Sequence, residues 1–323
     1  VVDVATGETL FEEGADNRVY PASVVKLMDL LLILERVEGG ELSLESRVPV
    51  DAEAAGMGGS QVYLKQGEVF TLDEMLNALC IKSANDVAVA LAKHIAGSKN
   101  AFVALMNRRA SELGLVASEF ASVHGLPPDT GQKPDVTTAR DVARLALEVL
   151  KHPQAIAYTS TREKWFRDNT FQMLSHNRLL ASVEGCDGLK TGYYRAAGFS
   201  IAATASRNGR RVLAVVMGCT SRPTRDAKAR ELLEFGFANL PPIPITVQET
   251  PVAAASADPV SPDVAESPQV RTAPEKRGGG LRAFLGVVKR GILLLLAIAL
   301  AGGLLILILY AINRHRDRWK YKL

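Results

Sequence analysis

The chain has 323 residues, 47% hydrophobic and 23% charged, which is too long for a disulfide-stapled mini-domain and excludes a collagen-like or wholly disordered protein. Its formal net charge of +3 conceals a split: residues 276–323 hold ten Lys or Arg and one acid, Asp317, whereas the preceding residues hold more acids than bases. The basic balance belongs to the tail and implies no nucleic-acid partner. The chain starts at Val1, and VVDVATGETLFEEG reads as a strand, a turn at Thr6-Gly7 and a second strand. It is therefore expected to begin inside a domain whose N-terminus is incomplete. Apolar residues recur at helical spacing over residues 23–38, 72–80, 86–95, 101–113, 138–150 and 222–237, several of these opening on Ser, Thr or Asp caps. Strand patterns occupy 187–193, 198–205 and 211–218, the last two joined by Arg207-Asn208-Gly209-Arg210, a hairpin signature. Strands at both ends with helices between predict an α+β fold, an antiparallel sheet packed by helices with an all-helical subregion.

Beyond this domain, expected over residues 1–240, the composition changes. Residues 241–283 carry eight prolines between Pro241 and Pro274 with interleaved Ala, Ser and scattered acids, a flexible linker that cannot bury enough apolar surface to offset its ordering entropy. Residues 284–313 form an anchor region. Within it residues 291–312 are 22 consecutive uncharged residues, enough at ~1.5 Å per residue to span a ~30 Å hydrocarbon core as one C-terminal transmembrane helix. A basic tail, 314–323, follows; five Lys or Arg flank the span on each side, so charge alone does not orient it.

Three cysteines (Cys80, Cys186, Cys219) and five histidines show no metal-ligand spacing, and the sequence calls for no metal and no cofactor. Chemistry is carried elsewhere. Ser23 and Lys26 lie three residues apart at a helix start, which puts the amine within reach of the hydroxyl. A lysine serves as the base for a serine only if burial or a neighbouring cation lowers its pKa. Ser83 and Asn85 sit in a Lys-Ser-Ala-Asn-Asp loop between two helices, and Lys190-Thr191-Gly192-Tyr193 lies on a strand edge where Gly192 permits close approach of a ligand backbone. Each motif alone is commonplace. Their order, SxxK then SxN then KTG, is the set used by penicillin-binding proteins and class A β-lactamases.

Residues 1–240 thus resemble a low-molecular-mass penicillin-binding protein of the D-alanyl-D-alanine carboxypeptidase family, with a β-lactamase-like fold. Further resemblances, in order, are Gly59-Ser60, LKQGE (64–68), SANDVAVALAKHIAG (83–97), His124-Gly125-Leu126, TTARDVARLA (137–146), HNRLL (176–180), and DGLKTG followed by AGF (197–199). The resemblance implies that Ser23 attacks the carbonyl between the terminal D-alanines of a peptidoglycan stem peptide with Lys26 as base, and that β-lactam antibiotics acylate it covalently. It implies that Ser83 relays a proton to the leaving amine and that Asn85 bonds the substrate backbone. Lys190, Thr191 and Arg225 would hold the terminal carboxylate beside Gly192, the Lys190 charge would help keep Lys26 neutral, and the N–H groups of Ser23 and Tyr193 would form an oxyanion hole. His124, Asp141 and Arg178 also fall at family positions. One departure is Tyr194-Arg195 after the KTG motif, where many members carry a small or hydroxylic residue; this alters the edge of the site.

Three other readings stay open. A β-lactamase shares the acylation apparatus, but no ExxLN-like loop lies between Asn85 and Lys190. A D,D-endopeptidase uses the same chemistry, and a non-catalytic peptidoglycan-binding scaffold would have no need of a nucleophile with its base. A peptidoglycan substrate implies a bacterial cytoplasmic membrane location, with the catalytic domain periplasmic or extracellular, the 291–312 helix in membrane lipid and residues 314–323 in the cytoplasm.

Overall fold

The computed structural model describes residues 1–241. The linker, spanning helix and basic tail expected from residue 242 onward lie outside the described residues. Among those described, no helix is long and apolar enough to cross a membrane. In chain order the elements are β1 (Val2–Asp3), α1 (Lys26–Glu38), β2 (Arg47–Pro49), α2 (Ala52–Ala55), β3 (Val69–Thr71), α3 (Leu72–Ile81), α4 (Asn85–Ala96), α5 (Lys99–Glu112), α6 (Ala139–Val149), α7 (Pro153–Thr159), β4 (Glu163–Phe166), β5 (Phe171–Leu174), β6 (Cys186–Tyr194), β7 (Gly198–Arg207), β8 (Arg210–Cys219) and α8 (Arg222–Asn239).

The main sheet is antiparallel, in the order β1-β8-β7-β6. Strict alternation on β7 and β8 sorts its two faces. Ile201, Ala203, Ala205, Val212, Ala214 and Val216 pack on Leu232 and Leu233 of α8, whereas Ala202 and Leu213 join the larger core around α1. Asn208 and Gly209 both have positive φ, 50° and 75°, as a two-residue turn matching the right-handed twist of a hairpin requires. Every residue from Lys26 to Leu34 is buried, so α1 runs through the middle of the domain with neighbours on all sides.

The mixed α and β architecture with an antiparallel sheet agrees with the sequence expectation, and so do the five later helices. Two local features differ. The second strand expected after Thr6-Gly7 reduces to one bridge, Val2 to Thr9, because the chain leaves the sheet after Asp3. The first turn of the helix expected at residue 23 is a 3-10 turn, Ala22–Val25, and α-helical geometry begins at Lys26. The two-stranded pairs β2-β3 and β4-β5 have no counterpart in the sequence reading, since three or four residues are too few for alternation to register.

Candidate active site

Three chain segments converge on Ser23. Pro21 precedes the 3-10 turn and fixes its entry, and Ala22 adopts φ 48°, a left-handed value uncommon outside glycine. The loop at His124-Gly125 presses against this turn: a Cβ on Gly125, whose φ is 73°, would lie 2.1 Å from the Ala22 carbonyl oxygen. β6 closes the other side, where a Cβ on Gly192 would lie 2.5 Å from the Pro21 carbonyl oxygen. Both positions therefore exclude a side chain for steric reasons.

Lys26 is the hub. Its Nζ lies 2.9 Å from Ser23 Oγ, 2.8 Å from Asn85 Oδ1 and 2.7 Å from the His124 carbonyl oxygen. The Asn85 amide has only one sensible orientation, because its Nδ2 donates to the Gly58 carbonyl, 2.8 Å away, which can only accept. Two of the three groups facing Nζ are thus obligate acceptors. A neutral amine has two N–H bonds for those oxygens and one lone pair, which is left aimed at the Ser23 hydroxyl. Burial holds the Lys26 ammonium well below its usual range, and the Lys190 charge pushes the same way. Geometry and electrostatics together leave a lysine that is able to accept a proton from serine.

The opposite wall is set by Ser83 and Lys190. Ser83 has φ 59° in the turn between α3 and α4, a left-handed conformation of the kind that clusters at functional sites. Lys190 Nζ donates to Ser83 Oγ at 2.9 Å and to the Thr191 carbonyl at 2.9 Å. Burial lowers its pKa to about 8, with the Arg225 charge adding to the effect. Thr191 is buried beside it, and Arg225, buried in the first turn of α8, bonds Asp226 Oδ1 through Nε at 2.8 Å. Tyr193 turns outward, 55% exposed, and stacks on Phe199 with centroids 4.0 Å apart.

The structure therefore brings Ser23, Lys26, Ser83, Asn85, Lys190, Thr191 and Gly192 together around one cleft, with Arg225 behind Lys190 and the Tyr193 ring at the rim. Asn85 differs from expectation in that both ends of its amide already hold protein groups. Of the family positions weighed as support, Asp141 accepts from Ala117 N and Ser118 Oγ, both at 2.9 Å, and ties a loop. Arg178 is exposed. His124 acts through its main chain; its ring, pushed to about pKa 4 chiefly by burial, accepts from Leu126 N at 3.1 Å.

Asp29 went unremarked in the sequence, although it is the lone acid in the apolar run LMDLLLIL. It is buried one turn beyond Lys26, and neither carboxylate oxygen has a hydrogen-bond partner among the described residues. Burial raises its pKa well above the usual carboxylate range, against a smaller opposing pull from Lys26. Below the unfolded value of ~3.9 both states are protonated and no penalty arises; above it the unfolded chain ionises first, so stability falls as pH rises toward the folded value. Asp29→Asn, which cannot ionise, is accordingly expected to match the parent's unfolding free energy near pH 4 and to exceed it by about 1–3 kcal/mol at pH 8. A difference that shrinks between those pH values would contradict this.

Burial, backbone strain and a hydrogen-bonded serine and lysine define the class: an α+β protein whose cleft is built around a serine that a buried lysine can deprotonate. A family model described as D-alanyl-D-alanine carboxypeptidase matches residues 1–221. The chain belongs to that family. It is 36% identical over 256 residues to the D-alanyl-D-alanine carboxypeptidase DacF of Bacillus subtilis, covering 78% of this chain and 65% of DacF. To DacC of Escherichia coli, also named a D-alanyl-D-alanine carboxypeptidase, it is 35% identical, covering 73% of this chain and 60% of DacC. The chain thus spans less than two thirds of the length of these curated relatives. Its fold is similar to penicillin-binding protein D2 of Listeria monocytogenes in an ampicillin-bound form, with a TM-score of 0.65 and 32% identity over 73% of this chain and 94% of that one.

Proposed function

We propose that this protein is a serine-type D-alanyl-D-alanine carboxypeptidase that removes the terminal D-alanine from peptidoglycan stem pentapeptides through an acyl-enzyme on Ser23. The observation that carries this reading is the Lys26 amine, held by two carbonyl-type oxygens with Ser23 Oγ 2.9 Å away. Lys190, Thr191 and Arg225 hold the terminal carboxylate. Lys26 takes the Ser23 proton as Oγ attacks the penultimate carbonyl, and the N–H groups of Ser23 and Tyr193 stabilise the oxyanion. Ser83, bonded to Lys190, passes a proton to the leaving amine, and water releases the acyl group. Asn85 positions Lys26 and lines the substrate's path.

Within hydrogen-bond distance Ser23 Oγ and Lys26 Nζ meet only each other, Asn85 and the His124 carbonyl among the described residues. Neither touches a carboxylate that could activate water for rapid deacylation. This favours a long-lived penicilloyl adduct over β-lactamase action. The test is incubation of the protein with a stem pentapeptide, followed by mass spectrometry for loss of one alanine, and with penicillin, for an adduct on Ser23. Rapid penicillin turnover without a persistent adduct would overturn the reading.

The Lys190 role has a pH signature. Its pKa of about 8 means the cation that holds the carboxylate is lost above that pH, so KM for the pentapeptide should rise several-fold between pH 7 and 9.5 while kcat changes less. A flat KM over this range would remove Lys190 from carboxylate binding.

The proposed organisation is a catalytic domain over residues 1–240, a linker over 241–283, an anchor region over 284–313 and a basic tail. The domain would then work outside the cytoplasmic membrane, held in its lipid by the 291–312 span.

A further inference from the structure

Beyond Gly192, where β6 passes the Ser23 turn, Tyr193 lines a groove of about 830 Å³ whose side chains the chemistry above does not use. One wall is Arg18 and Tyr20, on the segment leading to Ser23. The other is Tyr193, Arg195 and Phe199, on the β6-β7 hairpin. Among the described residues no Asp or Glu lines it and neither arginine forms an ion pair. The walls are fixed rather than loose: Val19 exchanges both backbone hydrogen bonds with Thr137, at 2.8 and 2.9 Å. Tyr20 stacks on Tyr194, with ring centroids 6.0 Å apart.

Strand direction says which part of a substrate reaches this groove. Along β6, Lys190 marks the carboxylate end and Gly192 lies against the Ser23 turn, so Tyr193 to Arg195 lie on the acyl side of the bond to be cut. At ~3.3 Å per residue, an extended chain that lies along β6 meets the arginines two to three residues upstream of the scissile carbonyl. Two unpaired guanidiniums on a rigid aromatic floor are suited to bidentate recognition of carboxylate.

We propose that Arg18 and Arg195 form a subsite for a free carboxylate carried by the peptide substrate two to three residues upstream of the cleaved bond, making them specificity-determining residues. The inference rests on the carboxypeptidase reading. Its test uses the full chain and two peptides ending in D-Ala-D-Ala, identical except that upstream carboxylates are free in one and amidated in the other. The readout is the ratio of their kcat/KM values, from which any misfolded fraction cancels. The parent should favour the free acid about tenfold at low salt, and less at high salt. The R18Q/R195Q double variant should bring the ratio close to one. A parent ratio near one, or a double variant that keeps the preference, overturns the subsite alone. If neither peptide loses D-alanine, the carboxypeptidase reading falls and the subsite with it.

Discussion

Ser23→Ala is expected to lower D-alanine release by on the order of 10⁴-fold or more, because among the described residues no other hydroxyl lies within hydrogen-bond distance of Lys26 to replace the nucleophile. The fold should survive: the Lys26 amine keeps its contacts to Asn85 and the His124 carbonyl, and one half-buried hydroxyl is lost. The measurement pairs chromatographic assay of free D-alanine with intact mass after penicillin treatment. Both release and adduct should vanish while the melting temperature stays within a few degrees. Release within tenfold of the parent would refute acyl-enzyme chemistry at this serine.

Lys26 offers a sharper test, because two substitutions separate its charge from its basicity. Lys26→Met removes the base and leaves Asn85 Oδ1 and the His124 carbonyl without their N–H donor. Lys26→Arg supplies N–H donors and a permanent cation that cannot give up its proton at any working pH. If Lys26 acts as a base, both variants should lose on the order of 10²–10⁴ in acylation rate by penicillin. Substantial activity in Lys26→Arg would show that positive charge, rather than proton acceptance, is what the site requires. Thermal melts separate misfolding from lost chemistry, and the methionine variant is the safer comparison because it adds no bulk.

Much of the site was legible because its motifs are local. Ser23 and Lys26 declare themselves by a one-turn spacing, and Lys190 to Gly192 by a short motif on an apolar strand. The contacts that make these groups reactive are not local. The His124 carbonyl meets Lys26 across 98 residues of chain, and the sequence offered His124-Gly125-Leu126 only as a resemblance, with nothing to show the close approach. Asn85 read as a substrate ligand, since nothing in the sequence shows that the Gly58 carbonyl fixes one end of its amide. Asp29 did leave a trace, one acid in an apolar run, but periodicity reads such a residue as an exposed face, and a helix enclosed on every side has none. The short strands around residues 47–71 and 163–174 escaped because pairing partners, not intrinsic pattern, make them strands.

Helix α1 is the innermost element of the domain and carries Lys26, with Ser23 on the 3-10 turn that leads into it, and this placement restricts how the pair can move. Local opening events release frayed ends and surface loops long before they reach a segment packed on all sides. Frayed ends and exposed loops can therefore open, while the amides of α1 around Lys26 are expected to exchange with solvent only when the whole domain unfolds. Ser23, on the turn just before that segment, is thereby kept against a lysine whose position would hold throughout the lifetime of the proposed acyl adduct.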